Sequence, residues 1–297
     1  MRFLLTGAGG QVGREVVRWA GRRGLSVRAL ERAELDVSDA GQVRDAIAST
    51  DGLTAVLNTA AYTEVDRAES EPERAYLVNA RGAEVLAEVA GSVGVPLVHV
   101  STDYVFDGDR DTTYREDEEP HPLNVYGESK LAGERAVRDA LARHVIIRTS
   151  WIFSAHRRNF VKTMLWLAEE RDELSIVCDE EGCPTGAGQL AHTLLTIGRM
   201  VSTPSFEAWG TYHYAGRPSI TRSDYARAIF SASGGTPGLP TARVLDIGSD
   251  EYESAARRPR RAILDCRRIQ SELGIHPPEW RPYLSVVLRQ ISKDRTT

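Results

Sequence analysis

The sequence predicts an α/β protein built on a doubly wound parallel sheet of the Rossmann-like kind, followed by a smaller α/β domain. Three observations carry this expectation. Short apolar runs alternate with helical patterns through the first half of the chain. Those runs lack polar alternation, as strands covered on both faces do. A glycine-rich turn follows the first run and opens the first helix. In order, Arg2–Thr6 is a compact strand, and residues 11–21 form a helix with Val12, Val16, Val17 and Ala20 on one side. Residues 25–30 are a second strand, 43–48 a helix and 55–58 a third strand. Residues 74–90 read as one long helix with Leu77, Val78, Leu86 and Val89 apolar. A fourth strand at 95–101, a helix at 125–143 and a strand at 144–149 complete the pattern. Right-handed crossovers then wind the sheet on both faces. The second half is less regular, with helices at 159–168, 189–201 and around 225–230, and connectors rich in Pro, Gly and Ser at 202–209 and 231–241. The expected division is a first domain at 1–150 and a second at 151–297, with segments from about 175 to 215 returning to the first.

Composition narrows the function classes. Of 297 residues, 41% are hydrophobic and 27% charged, which excludes a wholly disordered or collagen-like chain. No run of 18 apolar residues occurs, so no transmembrane helix is expected. A net charge of -5 offers no basic footprint for nucleic acid or an anionic membrane. Cys178, Cys183 and Cys266 cannot all pair and fit no zinc spacing, so they read as free thiols of a reducing cytosol. The chain enters its first strand directly, without a basic and then apolar leader, and the expected location is cytoplasmic. Lysine is scarce, at positions 130, 162 and 293 only, so a lysine inside a motif stands out. The stretch 107–119 holds seven carboxylates and reads as a solvated surface loop or a mobile flap.

Two motifs carry chemistry. In Thr6-Gly7-Ala8-Gly9-Gly10-Gln11-Val12-Gly13, glycines at 7, 10 and 13 permit a tight turn, close backbone approach to a pyrophosphate and close helix packing. The free N–H groups of the following helix then face the phosphates. Glu31 lies where an acidic residue accepts from the adenosine ribose, but Arg32 beside it could hold a 2′-phosphate, so the choice between NADPH and NADH stays open. Asp36 could sit over the adenine edge. In Tyr126-Gly127-Glu128-Ser129-Lys130, Tyr and Lys lie four apart on one helix face. A phenol is a poor acid–base group at neutral pH, and a nearby ammonium is expected to lower its pKa. Ser101 or Thr102, at a strand end, could hydrogen-bond both a substrate carbonyl and the Tyr126 oxygen. His99 reads as a satisfied core histidine.

Together with Asn58-Thr59-Ala60-Ala61-Tyr62, Ser101-Thr102-Asp103-Tyr104-Val105-Phe106, Lys130-Leu131-Ala132-Gly133-Glu134, Arg148-Thr149-Ser150-Trp151, Gly182-Cys183-Pro184-Thr185 and Arg258-Pro259, these residues resemble the extended short-chain dehydrogenase/reductases. More closely, they resemble the dTDP-4-dehydrorhamnose reductase family over nearly the whole chain. The resemblance implies a second domain that binds a sugar nucleotide and a reaction in which NADPH or NADH reduces the C4 keto group of a dTDP-4-dehydro-6-deoxy-sugar. It implies that Gly7, Gly10, Gln11, Val12 and Gly13 surround the pyrophosphate, that Glu31, Asp36 and Val37 lie near the adenosine, and that Ala60, Ala61 and Tyr62 line the nicotinamide side. Tyr126 would donate the proton, Lys130 hold the nicotinamide ribose, and Thr102 tune Tyr126. Thr102, Asp103, Trp151 and Arg258 would contact the substrate. A dTDP-sugar is the expected partner, with no nucleic acid or membrane, and a monomer or homodimer is expected.

This chain departs from the family pattern in three places. Arg222 stands where the family usually has Trp, and Arg260-Arg261-Ala262 replaces a different segment after Arg-Pro; extra arginines there suit a diphosphate. Some relatives hold a divalent ion at a dimer contact through carboxylates. Glu15 matches one of them, but Gly188 stands in place of Glu, so no metal site is expected. The alternatives are a 4-ketoreductase making another dTDP-deoxysugar, for example of dihydrostreptose type, and a non-catalytic regulatory homologue. A dehydratase or epimerase of this fold is disfavoured, because Tyr104 stands where the dehydratase pattern has its second acid.

Overall fold

The computed structural model describes residues 1–296. Its first five strands are β1 (Arg2–Thr6), β2 (Ser26–Leu30), β3 (Leu53–Asn58), β4 (Leu97–Thr102) and β5 (His144–Thr149). The helices between them are α1 (Gln11–Arg22), α2 (Ala40–Ala48), α3 (Val65–Ala68), α4 (Pro72–Tyr76), α5 (Gly82–Ser92) and α6 (Val125–Ala140). All these strands run parallel, and side chains alternate across the sheet. Phe3, Leu5 and Leu57 face one core, and Leu4, Val56 and Ile146 face the other. Apolar residues on both faces of each strand explain why the runs showed no polar alternation.

After β5 come β6 (Ile152–Phe153), α7 (Phe160–Leu167), β7 (Glu173–Val177), β8 (Glu181–Gly182), β9 (Thr185–Gly186) and α8 (Ala187–Val201). They are followed by β10 (Gly210–His213), β11 (Ile220–Thr221), α9 (Arg222–Gly234), β12 (Arg243–Ile247), α10 (Arg267–Leu273) and α11 (Trp280–Thr296). The main sheet has the order β10-β5-β4-β3-β1-β2, so a strand from the second half closes its edge. Leu190, Leu194 and Ile197 of α8 share a core with Val12 and Val16 of α1. A separate core holds Phe153, Leu165, Tyr225, Trp280 and Leu288, drawn from α7, α9, α11 and their small sheets. The chain goes from β1 to β2 on one side and crosses back to β3 on the other, which opens a crevice at the carboxyl ends of β1 and β3.

One expectation needs correction. The single helix expected at 74–90 begins at Pro72, with proline in its first turn, and passes through a π-helical turn at Leu77–Arg81 before α5. The π turn presents buried Asn79 inward. Its Oδ1 accepts from the Tyr62 N–H at 2.8 Å, and its Nδ2 donates to the Tyr62 carbonyl at 3.1 Å and to Ser129 Oγ at 3.0 Å. Apolar periodicity carries no sign of this extra residue per turn. The acidic stretch is a solvated surface loop, one of the two readings given for it, with its carboxylates exposed or half-buried, and it is anchored at Tyr114, which is 2% exposed. The Tyr114 N–H donates to the Ile263 carbonyl at 2.8 Å, and the Asp265 N–H donates to the Tyr114 carbonyl at 2.7 Å.

Candidate active site

A cleft of about 1040 Å³ opens at the crevice. Gly7, Gly10, Gln11, Val12, Glu31, Asp36, Val37, Ala60, Ala61, Tyr62, Tyr126 and Lys130 all line it. Gly13 does not; it is a packing glycine, where a Cβ would lie 2.3 Å from the Gly7 carbonyl oxygen. Gly7 has φ +73, and a Cβ on it would lie 2.5 Å from the Ala60 N. The loops after β1 and β3 therefore touch through backbone alone. Gly10 caps α1 without a side-chain bond, leaving the first N–H groups of the helix directed at the cleft. An elongated crevice with bare helix N–H groups, an acidic residue and arginines at one end fits a dinucleotide.

At that end a Cβ on Gly9 would lie 2.8 Å from Glu31 Oε2, so the carboxylate rests on the glycine loop. Arg32 lines the same wall. Asp36 Oδ1 accepts from the Ser38 N–H at 2.9 Å and the Ser38 hydroxyl at 2.7 Å. Two further arginines, Arg157 and Arg158, also line the cleft. Arg157 has φ +54, in the left-handed region, and its Nε donates to the Gly9 carbonyl at 2.8 Å. Sequence reasoning missed them, because they lie far along the chain and no motif announces them.

At the other end, Asn124 caps α6 by accepting from the Gly127 N–H at 2.8 Å, which sets Tyr126 in the first turn and Lys130 one turn on. The Ser101 hydroxyl donates to Glu134 Oε1 at 2.6 Å, while Thr102, which donates to Asp103 at 3.1 Å, is the hydroxyl that bears on the Tyr126 phenol. The geometry thus favours Thr102 over Ser101 as the neighbour of Tyr126. The expected lowering of the Tyr126 pKa is corrected. Burial pushes it well above the ordinary phenol value, Thr102 opposes that rise, and Asp103 and Tyr104 add to it. The Lys130 ammonium does not offset the burial, because its Nζ is turned to the Val100 carbonyl at 2.7 Å. Burial also brings Lys130 down to about 8, against the pull of Glu134. Tyr126 therefore holds its proton at neutral pH, the state a proton donor requires.

The residues expected at the substrate lie behind this point, outside the lining of the cleft. Asp103 accepts from the Ser150 hydroxyl at 2.6 Å and from Thr102 at 3.1 Å, and burial raises it to about 6. Trp151 adopts φ +42, a conformation that costs a non-glycine residue on the order of 1–3 kcal/mol. The Arg222 guanidinium lies 4.3 Å from the Trp151 ring centroid and pairs with Glu180. Arg258 pairs with Asp66 of α3 at 2.7 Å. Arg261 pairs with Glu181 at 2.9 Å, and Arg260 lies 4.0 Å from Asp179. Three consecutive acids, Asp179, Glu180 and Glu181, thus meet the three arginines by which this chain departs from its resemblance. Sequence reading did not single them out, although an acidic triplet in an arginine-rich half was the available signal. Elsewhere, Glu15 accepts from Arg18 at 3.2 Å and contacts His156 Nε2 at 3.1 Å, and the Gly188 N–H donates to the Tyr283 hydroxyl at 3.0 Å. Among the described residues no group of three or more His, Cys, Asp or Glu could hold a metal ion, and no helix is long and apolar enough to cross a membrane.

Comparison with known proteins supplies the context. The RmlD substrate binding domain family matches residues 1–293. The dTDP-4-dehydrorhamnose reductase of Sinorhizobium fredii is 40% identical over 285 residues, covering 94% of each chain. That of Escherichia coli is 37% identical over 298 residues, covering 98% of each. The crystal structure of dTDP-4-dehydrorhamnose reductase from Bacillus anthracis in complex with NADP superimposes with a TM-score of 0.89 at 33% identity, covering 97% of this chain and 99% of that one.

Proposed function

The chain belongs to the RmlD family, that of the dTDP-4-dehydrorhamnose reductases, and from that premise we propose that it reduces the C4 keto group of a dTDP-4-dehydro-6-deoxy-sugar. The favoured reaction is dTDP-4-dehydro-L-rhamnose to dTDP-L-rhamnose. Residues 1–150 mainly hold the dinucleotide, and 151–297 mainly hold the sugar nucleotide. The enzyme works in the cytoplasm as a monomer or homodimer, with no nucleic-acid or membrane partner.

One observation carries the reading. Tyr126, under the influence of Thr102 and one helical turn from Lys130, lines the same cleft as the glycine loop. Gly7, Gly10, Gln11 and Val12 would hold the pyrophosphate, with Gly13 keeping the helix close. Glu31, Asp36 and Val37 would hold the adenosine end, and Ala60, Ala61, Tyr62 and Lys130 the nicotinamide end. When bound, NADPH or NADH supplies the hydride. The protein's own part is electrostatic and acidic. Thr102 and Tyr126 present hydrogen bonds to the sugar oxygen as negative charge grows on it, and Tyr126 then passes its proton to that oxygen. The high Tyr126 pKa keeps the proton in place until then, and an alkoxide is basic enough to take it. Asp103, Trp151 and Arg258 complete the sugar side.

A second reading, a 4-ketoreductase making a different dTDP-deoxysugar, is favoured by Arg222 on the face of Trp151, because that face adjoins the sugar side. Incubation with dTDP-4-dehydro-6-deoxy-sugars and either dinucleotide, with the product identified by NMR, tests both readings. We expect loss of dinucleotide absorbance and formation of dTDP-L-rhamnose. No turnover with either dinucleotide ends both readings, and a different alcohol as product selects the second.

A further inference from the structure

His99 of β4 is fully buried, and its surroundings determine where its proton sits. The Ala60 N–H donates to Asn58 Oδ1 at 3.0 Å, and the Thr6 hydroxyl donates to the same oxygen at 2.7 Å. A backbone N–H can only donate, so the amide of Asn58 cannot be reversed. Its amino group faces His99 Nδ1 at 2.8 Å, and Nδ1 must therefore accept. Burial and the nearby Lys130 charge both oppose a doubly protonated ring. The neutral ring carries its hydrogen on Nε2, which lies 3.4 Å from Lys130 Nζ. An ammonium has no lone pair, so Nε2–H against a charged Lys130 is donor against donor. The contact becomes a hydrogen bond only when Lys130 is the free amine.

We infer that His99 is a positioning residue whose Nε2–H stabilises the uncharged amine of Lys130, and so sets how readily the lysine of this site gives up its charge. The inference rests on Lys130 as part of the proposed site. Every group facing Lys130 enters this balance. Tyr126 and Glu134 lie on its own helix, and His99 and the Val100 carbonyl lie on β4. Arg148 of β5 and Arg138 act through Glu134, which both of them pair. Asp103 faces Tyr126, and His144 lies beyond His99. Glu134 favours the ammonium, but it is already neutralised by two arginines, which leaves His99 free to favour the amine.

The chain's three lysines make the test direct. In protein labelled with ¹³C and ¹⁵N at lysine, the Lys130 signal is the one missing from Lys130→Arg. We expect it to titrate below the other two lysines, and its midpoint to rise by about one pH unit in His99→Gln, whose carbonyl oxygen accepts from the ammonium. Imidazole ¹⁵N spectra of the unaltered protein should show His99 as the Nε2–H tautomer near neutral pH. A folded His99→Gln protein with an unmoved Lys130 midpoint overturns the inference, and so does an Nδ1–H tautomer. If His99→Gln does not fold, the tautomer measurement decides alone. With keto sugar and NADPH, the alkaline limb of kcat should move upward with the Lys130 midpoint; a limb that stays put while the midpoint moves overturns the role of that charge in turnover. The spectra need neither substrate nor dinucleotide, so a lack of turnover would count against the proposed function and leave the spectroscopic result standing.

Discussion

The cleft and the region behind it are held by different forces. At the glycine loop, backbone meets backbone: a single added carbon at Gly7 or Gly13 would lie within 2.5 Å of a neighbouring main-chain atom. Behind the cleft, on the proposed sugar side, side-chain charges meet: Asp66 with Arg258, Glu180 with Arg222, and Glu181 with Arg261. The first region is specified by shape, so it tolerates salt and pH but no extra atom. The second is specified by charge, so its partners are exchangeable. An anionic sugar nucleotide can compete for an arginine now held by a carboxylate, whereas nothing can compete for a van der Waals contact.

Four substitutions sharpen this contrast. Tyr126→Phe removes the proposed proton donor and should lower the rate of keto-sugar reduction by about 10²–10⁴-fold. Dinucleotide affinity, measured by fluorescence titration, should change little, and a variant that keeps most of its rate removes Tyr126 from the reaction. Gly13→Ala drives a methyl into the Gly7 carbonyl and should cost about 1–3 kcal/mol of stability, read from thermal or denaturant unfolding. It should also weaken dinucleotide binding, and an unchanged melting curve would show that the loop yields more than the packing suggests. Arg222→Gln leaves Glu180 short of a charged partner and should cost about 1–2 kcal/mol. The KM for the sugar nucleotide should rise while dinucleotide affinity holds, and the opposite pattern would break the division between the two regions.

The smallest effect is expected at Asp66. Burial raises its pKa, but the Arg258 hydrogen bond and charge outweigh that and hold the carboxyl below its usual value. Its side chain is half exposed, so Asp66→Asn should cost less than about 1 kcal/mol. The carboxyl is depressed in the folded state, so its contribution is present above the unfolded pKa and fades as pH falls through the folded one. Stability curves of the two proteins should therefore differ at neutral pH and converge below about pH 4.

The same division explains what the sequence disclosed. Strands β1 and β5 and the glycine loop were legible, because buried parallel strands and tight turns impose local residue choices. The π turn was not, because it answers to Asn79 reaching Tyr62, seventeen residues away. The shift of the Tyr126 pKa was misjudged because spacing puts Tyr and Lys on one helix face without saying where the ammonium points; here it points to Val100. The pairing of Arg222 with Glu180 joins positions 42 apart, and that of Arg258 with Asp66 joins positions 192 apart. No local pattern encodes such partners. Arg157 in the dinucleotide cleft was hidden for the same reason.

The sheet edge closed by β10 bears on how the protein can be made. Gly210–His213 pairs with β5, buried His213 lies 3.4 Å from Arg148, and the Tyr214 N–H donates to the Arg148 carbonyl at 2.9 Å. Truncation after Thr149 would strip that cover and leave β5, still paired with β4, with its other edge open along Val145, Ile146 and Ile147. Such an edge is a template for aggregation. The proposed dinucleotide half is therefore not a portable module: expressed alone it should collect in inclusion bodies, and any minimal version must carry residues through at least 213.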